Sequence, residues 1–249
     1  MEAITKNQTS YSLHGEICKP AVVLVHGLGL NKELWQWLLP DLKNEFHTVT
    51  YDIYGHGNSG EAPKKPSLKV FAQQIKELLD ALQIEKAIIV GFSLGGMIAR
   101  RFAQDNPIMI TALCIISSPH RRTTEQQLSI ELRLKQVGQG GAESTVEKAL
   151  NRWFTKSFLH ENANLMSLVA SWVLKNEATT YAKNYEVLVY GIDEIINPTP
   201  AINCPTLVMT AEKDEGNGPE MSQKITSEIP GAKLYIIKGL KHMALVEDP

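Results

Sequence analysis

The chain has 249 residues, 43% of them hydrophobic and 21% charged, with a formal net charge of −2 at pH 7. This composition is typical of a globular protein, and the absence of excess positive charge argues against nucleic acid as a partner. The first residues hold no basic segment followed by an apolar one, and no apolar run approaches the roughly 18 residues of a membrane span. We therefore expect a cytoplasmic protein with no membrane partner.

Short apolar runs alternate with helix-like segments along the first part of the chain. The strands predicted there are residues 21–25, 46–52, 86–90 and 111–117. Residues 31–44 have amphipathic spacing, apolar residues recur at helical intervals after Ser67, and residues 94–106 form a predicted helix that Pro107 ends. This alternation predicts an α/β fold with a doubly wound, mostly parallel sheet.

The alternation stops near residue 120 and resumes with two predicted strands and a helix between them. These later elements are residues 204–211, 218–229 and 232–238. The intervening residues 121–195 are helix-like throughout, which predicts an all-helical cap inserted above the sheet. The predicted domain is a single unit, residues 1–249, with a core formed by residues 1–120 and 196–249.

A serine surrounded by glycines lies at a predicted strand-to-helix junction. Gly91-Phe92-Ser93-Leu94-Gly95 matches G-x-S-x-G, the pattern of a nucleophile elbow in this setting. The serine of such an elbow occupies a strained turn, so its neighbours must be small. Gly91 and Gly95 provide that space, and Gly96 lets the helix approach the sheet. We expect Ser93 to be a nucleophile at the carboxyl edge of the sheet.

A serine nucleophile needs a base and an orienting acid, which follow it in the order acid, then histidine, in this topology. His242 comes after the last predicted strand and is the preferred base, with His120 as the second candidate. Asp214 follows strand 204–211, where the acid is expected to emerge, although Glu212 and Glu215 share its loop. The loop after strand 111–117, an alternative position for the acid, contains no carboxylate.

The reaction also needs backbone N–H donors for the oxyanion. HGLG, residues 26–29, follows the first strand, so we expect the N–H groups of Leu28 and Leu94 to form the oxyanion hole. His26 is predicted to fix this loop by hydrogen bonding. Asp52 and His56 lie in the glycine-rich segment DIYGHGNS, for which a structural role is the better prediction.

These motifs together resemble the α/β-hydrolase family across the whole chain. HGLG, DIYGHGNS, GFSLGG, TLVMTAEKD and GLKHMALVEDP stand in the family's order. The resemblance implies Ser93 as nucleophile, His242 as base and Asp214, at the position of the family's acid, as the third residue. Residues 140–158 and the tyrosines near 181–185 resemble the 3-oxoadipate enol-lactonase group.

Two features depart from that pattern. The segment after Asp214 is EGNGPE, whereas the group usually has a Thr-Pro-containing form. The sequence also stops seven residues after His242, before the family's closing helix, and whether the chain is truncated there stays open.

Large aromatic and apolar side chains recur in the predicted cap, and most are expected to pack as core. Trp153 and Tyr185, together with His120, are the candidates for an apolar pocket over Ser93. The four cap arginines could each bind a substrate carboxylate, although solvation is the expected state of most: Arg121, Arg122, Arg133 and Arg152. The first two, directly after a strand, are the best placed.

The sequence supports one function class and leaves two alternatives. We expect a serine hydrolase that cleaves a small carboxylic ester or lactone and needs neither metal nor cofactor, because no phosphate loop or metal-ligand cluster is present. The alternatives are a carbon–carbon bond hydrolase of ring-cleavage products and a non-catalytic ligand-binding protein on the same fold. The physiological substrate and the oligomeric state stay open.

Overall fold

The protein, described by a computed structural model over residues 2–249, is built on one eight-stranded sheet. Its strands are β1 (Glu2–Ile4), β2 (Ser10–His14), β3 (Ala21–Val25), β4 (His47–Tyr51), β5 (Ala87–Phe92), β6 (Ile110–Ile116), β7 (Thr206–Ala211) and β8 (Lys233–Ile237). Their order across the sheet is β1-β2-β4-β3-β5-β6-β7-β8. The pairs β1/β2 and β2/β4 are antiparallel and all others are parallel. The predicted mostly parallel α/β sheet is confirmed.

Residues 2–249 also contain ten α-helices. They are α1 (Leu39–Glu45), α2 (Leu68–Ala81), α3 (Leu94–Asp105), α4 (Thr124–Gly140), α5 (Val146–Trp153), α6 (Lys156–Glu161), α7 (Ala163–Leu174), α8 (Ala178–Tyr190), α9 (Pro219–Glu228) and α10 (Ala244–Glu247). Helices α4 to α8 all lie between β6 and β7 and form the cap. None of the helices in this described part of the chain has the length and hydrophobicity that spanning a bilayer requires.

Local sequence determines where the principal helices begin. The Ser67 hydroxyl caps α2 by accepting a hydrogen bond of 3.2 Å from the Val70 N–H. At α4, Thr123 and Gln126 form a capping box in which each side chain accepts from the backbone N–H of the other. Both caps satisfy N–H groups that a helix start leaves without partners, so these residues fix the first turn.

Two predictions for the first 45 residues need correction. Residues 31–44 form two short pieces, a 3₁₀ turn at Lys32–Trp35 and then α1, instead of one amphipathic helix. Pro40 lies in the first turn of α1, the place where a residue without an N–H is tolerated, so the helix restarts there. The antiparallel pair β1 and β2 was not predicted, because its short strands are mostly half-buried or exposed and show no clear apolar pattern.

The topology brings the predicted site residues to one edge of the sheet. From β3 the chain first moves to β4 on one side and later to β5 on the other. Since crossovers are right-handed, this reversal places helices on both faces, as a doubly wound sheet requires. The carboxyl ends of β3, β5, β7 and β8 point to the same edge, and ligands bind at such an edge next to the reversal.

Two buried histidines hold the loops at that edge. His26 Nε2 accepts from the Ile53 N–H and His56 Nε2 accepts from the Gly29 N–H, both at 3.0 Å. Complete burial lowers the pKa of His26 to about 4 and, with the nearby His26, the pKa of His56 to about 3. Both rings are therefore neutral at pH 7. The predicted structural role of these histidines is confirmed.

Asp52 lies beside them in a buried ion pair that the sequence did not reveal. Its Oδ2 is 2.8 Å from Lys32 Nζ and accepts from the Asn58 N–H, while its Oδ1 accepts from the Lys32 N–H at 2.7 Å. The carboxylate thus satisfies its own turn, as predicted, and also ties it to the chain after β3. This pairing compensates the cost of burying both charges.

The two neutral histidines predict how stability changes with pH. Their folded-state pKa values lie below the ordinary 6.5, so the unfolded chain binds more protons below that pH. The free energy of unfolding should therefore fall as pH drops from about 6.5 to about 4, with each histidine contributing up to about 1.4 kcal/mol per pH unit. His56→Gln, which keeps an acceptor, should show a shallower slope in urea unfolding between pH 7.5 and 5.

His160→Asn is the matched control, because His160 is exposed. Its slope should equal that of the wild type. An unchanged slope in His56→Gln would contradict the assignment of a neutral, buried imidazole at this position.

Candidate active site

Ser93 occupies a strained turn between β5 and α3. Its φ of 55° and ψ of −115° lie outside the regions that a residue with a side chain normally adopts. The Ser93 N–H donates to the Ile116 carbonyl at 2.9 Å, and the Ser93 carbonyl accepts from the first turn of α3. Ser93 is 7% exposed, so its side chain reaches the surface of a cavity without being free in solvent.

The glycines around Ser93 are required by close backbone approach. A Cβ atom on Gly91 would collide with the Gly95 carbonyl, and one on Gly95 would collide with the Val25 carbonyl of β3. A Cβ atom on Gly96 would lie 2.6 Å from the Ser118 Cβ. All three contacts are shorter than real Cβ atoms make, so the predicted reason for this glycine pattern agrees with the geometry.

His242 and Asp214 meet at the same edge of the sheet. His242 Nδ1 lies 2.7 Å from Asp214 Oδ2, and both side chains are more than nine-tenths buried. The imidazole also packs against Phe92, with ring centroids 4.8 Å apart. Within residues 2–249, the second ring nitrogen of His242 makes no hydrogen bond to a protein group.

The loop after β7 holds Asp214 as an anion. Its Oδ1 accepts from the N–H groups of Gly216 and Asn217 at 3.0 and 2.9 Å, which leaves Oδ2 for His242. Burial opposes ionisation, but His242 and these hydrogen bonds outweigh it and lower the pKa of Asp214. The carboxylate is therefore charged at neutral pH, with Oδ2 facing His242 Nδ1.

The two other acids of this loop bind elsewhere. Glu212 Oε2 accepts from the Gly239 N–H at 3.0 Å, and Glu215 Oε1 is 2.7 Å from Lys241 Nζ. Neither of them contacts the imidazole of His242. Of the three acids that the sequence places in this loop, the structure brings only Asp214 to the histidine.

Asn217 is a residue of the site that the sequence analysis did not identify. Its side-chain Nδ2 donates to the Ser117 carbonyl at 2.8 Å, and its own carbonyl accepts from Thr210 Oγ1 at 2.8 Å. Asn217 thereby joins the acid loop to the chain after β6. It lies in the segment EGNGPE, whose departure from the Thr-Pro form was the signal that could have identified it.

Ser93, His242 and Asp214 line one cavity between the sheet and the cap. Its volume is about 100 Å³, and its wall also includes Leu28 and Phe92. Ser93 and His242 share this wall without a hydrogen bond between them. Such bonds are often long before substrate binds and shorten in the complex.

Backbone donors are present on the strand side of the cavity. The N–H groups of Leu28 and Leu94 make no hydrogen bond to any acceptor within residues 2–249. Leu28 follows β3 and Leu94 opens α3 directly after Ser93, so both N–H groups lie at the same edge of the sheet as Ser93. The loop that carries Leu28 is held by the hydrogen bond from Gly29 to His56.

The cap supplies the opposite wall, with one correction to the predictions. Trp153 and Tyr185 line the cavity, as does Tyr181. His120 does not: its Nε2 is 2.9 Å from Glu228 Oε1 on α9, because the chain after β6 turns it away from Ser93. Packing against α9 therefore explains the buried position of His120.

Two of the four cap arginines reach the cavity. Arg122 and Arg152 line it, whereas Arg121 is exposed and Arg133 lies outside the wall. The sequence favoured Arg121 and Arg122. Arg122 lines the cavity, and Arg121 faces solvent. Within residues 2–249, no three His, Cys, Asp or Glu side chains lie close enough together to bind a metal ion.

Comparisons with known proteins agree with this architecture. A family model described as alpha/beta hydrolase fold matches residues 20–249. The 3-oxoadipate enol-lactonase 1 of Acinetobacter baylyi is 27% identical over 240 residues, which cover 96% of this chain and 88% of the relative. The (E)-2-((N-methylformamido)methylene)succinate hydrolase of the same organism is 22% identical over 246 residues, 99% of this chain and 92% of the relative.

A solved structure has the same fold. The enol-lactonase from Burkholderia xenovorans LB400 matches with a TM-score of 0.87 at 22% identity, covering 99% of this chain and 94% of that chain. At this identity the likeness shows the fold alone. It extends over the cap as well as the sheet, because nearly the whole of both chains is matched.

The glycine geometry predicts a large loss of stability for one substitution. Gly95→Ala places a methyl group against the backbone of β3, which cannot move without breaking the sheet, so unfolding should become easier by about 3 kcal/mol or more. Gly138→Ala is the control, since nothing lies within 4 Å of its Cβ position on the exposed face of α4. It should stabilise the protein by up to about 1 kcal/mol. Thermal and urea unfolding measure the stability of both variants. If Gly95→Ala and Gly138→Ala changed it equally, the close approach at Gly95 would be refuted.

Proposed function

The chain belongs to the α/β-hydrolase family, and we propose that it is a serine hydrolase that cleaves a small carboxylic ester or lactone. The observation that supports this most is the shared cavity. Ser93 enters it from a strained turn, and His242 enters it with Nδ1 already 2.7 Å from the Asp214 carboxylate. A nucleophile, a base and an orienting acid are the parts that acyl transfer requires.

In the first step, Ser93 Oγ attacks the carbonyl carbon of the substrate while His242 Nε2 takes the hydroxyl proton. The Asp214 carboxylate accepts from Nδ1–H, so it selects the tautomer whose Nε2 is unprotonated. When the ring becomes positively charged, the same carboxylate stabilises it. Asp214 itself stays ionised because Gly216 and Asn217 donate to its other oxygen.

The carbonyl oxygen becomes an oxyanion as the C–O bond to Ser93 forms. The N–H groups of Leu28 and Leu94 have no protein acceptor to give up, so they can donate to the new charge without reorganisation. A single oxyanion donor contributes about 10²–10³-fold to turnover in a well-studied serine protease. The hydrogen bond between His56 and Gly29 supports the Leu28 loop in this role.

The tetrahedral intermediate collapses when His242 returns its proton to the leaving oxygen. For an ester this releases an alcohol; for a lactone the leaving oxygen stays attached to the acyl group. Water, activated by His242 in the same way, then attacks the acyl-enzyme and frees Ser93. Every proton in both halves passes through His242, so no further acid or base is needed.

The cavity favours a small substrate. A volume of about 100 Å³ is less than the 150 Å³ that admits benzene in an engineered protein cavity. Two enol-lactonases among the similar proteins act on a lactone by name, and lactone hydrolysis suits the same three residues. A substrate panel of esters, lactones and ring-cleavage dienoates tests the choice. Turnover of the dienoates alone would favour carbon–carbon bond cleavage instead.

Ser93→Ala should lower kcat for p-nitrophenyl acetate by about 10⁴-fold or more, because the nucleophile acts as a unit with its base. His242→Ala should give a loss of similar size for the same reason. Initial rates at saturating substrate, with circular dichroism to verify folding, provide the measurement. His120→Ala is the control and should keep turnover, since His120 bonds to Glu228 away from the cavity. A Ser93→Ala protein with wild-type turnover would rule out the proposed nucleophile.

Asp214→Asn should lower kcat strongly while the protein stays folded. The amide no longer selects the correct imidazole tautomer, a change that costs about 10⁴-fold in the serine-protease case. Glu215→Gln is the matched control from the same loop, where it breaks only the exposed contact with Lys241. Its kcat should stay within about tenfold of the wild type, which is about 1.4 kcal/mol in the barrier. Similar losses in both variants would mean that the acid is wrongly assigned.

A further inference from the structure

The cap side of the active-site cavity carries two positive charges that lack acidic partners. Arg122 follows β6 and Arg152 lies on α5, and both side chains line the wall that also holds Ser93. Both are partly buried, and no carboxylate lies within ion-pair distance of either guanidinium in residues 2–249. Buried charges are normally paired, so two free ones on a cavity wall call for an explanation.

Arg122 has a structural reason for its position. Its Nη1 and Nη2 donate to the Val189 and Leu188 carbonyls at 3.1 and 3.0 Å. These carbonyls belong to the last turn of α8, which a cation stabilises. Arg122 is therefore held in place by the cap, and its charge is a fixed part of the field inside the cavity.

Arg152 has no comparable set of partners. Its Nη1 donates to the Lys148 carbonyl one turn back on α5, at 3.1 Å, and its Nε and Nη2 have no acceptor among residues 2–249. A guanidinium has five N–H donors in a planar fork, and most of the fork of Arg152 is unused. Arg152 is thus the arginine that has donors available for a ligand.

The surroundings of Arg122 and Arg152 disfavour their positive charges, and a bound anion would offset this cost. Burial, reinforced by the nearby Arg133, lowers the pKa of Arg122 to about 10 and also lowers the pKa of Arg152. The charge of Glu215 acts in the opposite direction on the pKa of Arg152, but Glu215 Oε1 is already 2.7 Å from Lys241 Nζ. Arg133 therefore repels both Arg122 and Arg152, and the carboxylate that partly offsets this repulsion at Arg152 is already paired with Lys241.

Two tyrosines add neutral donors to the same wall. Tyr181 and Tyr185 line the cavity, pack edge to face with ring centroids 5.9 Å apart, and are at most 7% exposed. In the described part of the chain, residues 2–249, neither hydroxyl makes a hydrogen bond to a protein group. The wall opposite Ser93 thus offers the unused guanidinium donors of Arg152 and two tyrosine hydroxyls that can donate to a ligand.

We propose that Arg152, together with Arg122, forms a carboxylate-binding subsite, so that the substrate is an ester or lactone that carries a carboxylate group. This inference rests on the proposed function, since it assigns the substrate class of that same cavity. The planar fork of Arg152 matches a carboxylate in a bidentate geometry, and such charge-assisted hydrogen bonds are about twice as strong as neutral ones. The anionic group would be held at the cap while the reacting carbonyl lies at Ser93.

The test compares two activated esters that differ mainly in one charge. p-Nitrophenyl pentanoate and mono-p-nitrophenyl glutarate have acyl chains of the same length and the same leaving group. The wild type should have the higher kcat/KM on the glutarate ester, and Arg152→Met should lower the ratio of the two values by about 10- to 100-fold. Arg152→Lys keeps the positive charge but loses the planar fork, so its ratio of kcat/KM values should lie between those of the wild type and Arg152→Met.

Arg121→Met is the matched control, because Arg121 is an exposed arginine next to Arg122 and lies outside the cavity. It should keep the wild-type ratio. An unchanged ratio in Arg152→Met, or an equal change in Arg121→Met, would overturn the subsite.

A binding measurement separates the subsite from catalysis. Glutarate should raise the melting temperature of the Ser93→Ala protein, and adding Arg152→Met should remove this effect, with sodium chloride at equal ionic strength as the reference. If neither ester is hydrolysed but glutarate still stabilises the protein through Arg152, the subsite stands and the proposed function fails. If glutarate stabilises both proteins equally or neither, the subsite is wrong even when both esters are hydrolysed.

Discussion

The structure depends on the close approach of three backbone segments around Ser93. The turn between β5 and α3 brings Gly95 against the carbonyl of Val25 on β3, and Gly96 against Ser118 after β6. These contacts allow no side chain at either glycine, and the backbone of Ser93 is strained as a result. Because the strands on both sides hold this turn, the hydroxyl is fixed at the sheet edge before any substrate binds.

The other parts of the site are built on the same edge by separate devices. Backbone N–H groups of the acid loop orient Asp214, and its free oxygen orients His242. Asn217 fastens that loop to the chain after β6. On the opposite side, Asn176 of the cap donates to the Gly29 carbonyl at 3.0 Å, so the cap contacts the loop that carries Leu28. A hydrogen bond therefore links the cap directly to the loop after β3 at the edge of the cavity.

The sequence predicted those parts of the fold and site that follow from short-range patterns. Buried strands, the elbow glycines and the order of Ser93, Asp214 and His242 along the chain were recognisable, and Asp214, preferred over its neighbours by position, is the acid that contacts His242. The orientations of His120 and Asn217 depend on packing against distant elements, Glu228 and Ser117, which no local pattern encodes. The unused N–H donors of Arg152 could likewise be identified only from the structure, which shows this arginine on the cavity wall.

The central claim is that Ser93 is a nucleophile activated by the imidazole that Asp214 orients. The most direct measurement is covalent labelling with a fluorophosphonate, mapped by peptide mass spectrometry and followed over time. We predict one label, on Ser93, that forms quickly in the wild type and at least a hundredfold more slowly when His242 is replaced by alanine. A label on any other residue, or equal labelling rates in the two proteins, would contradict it.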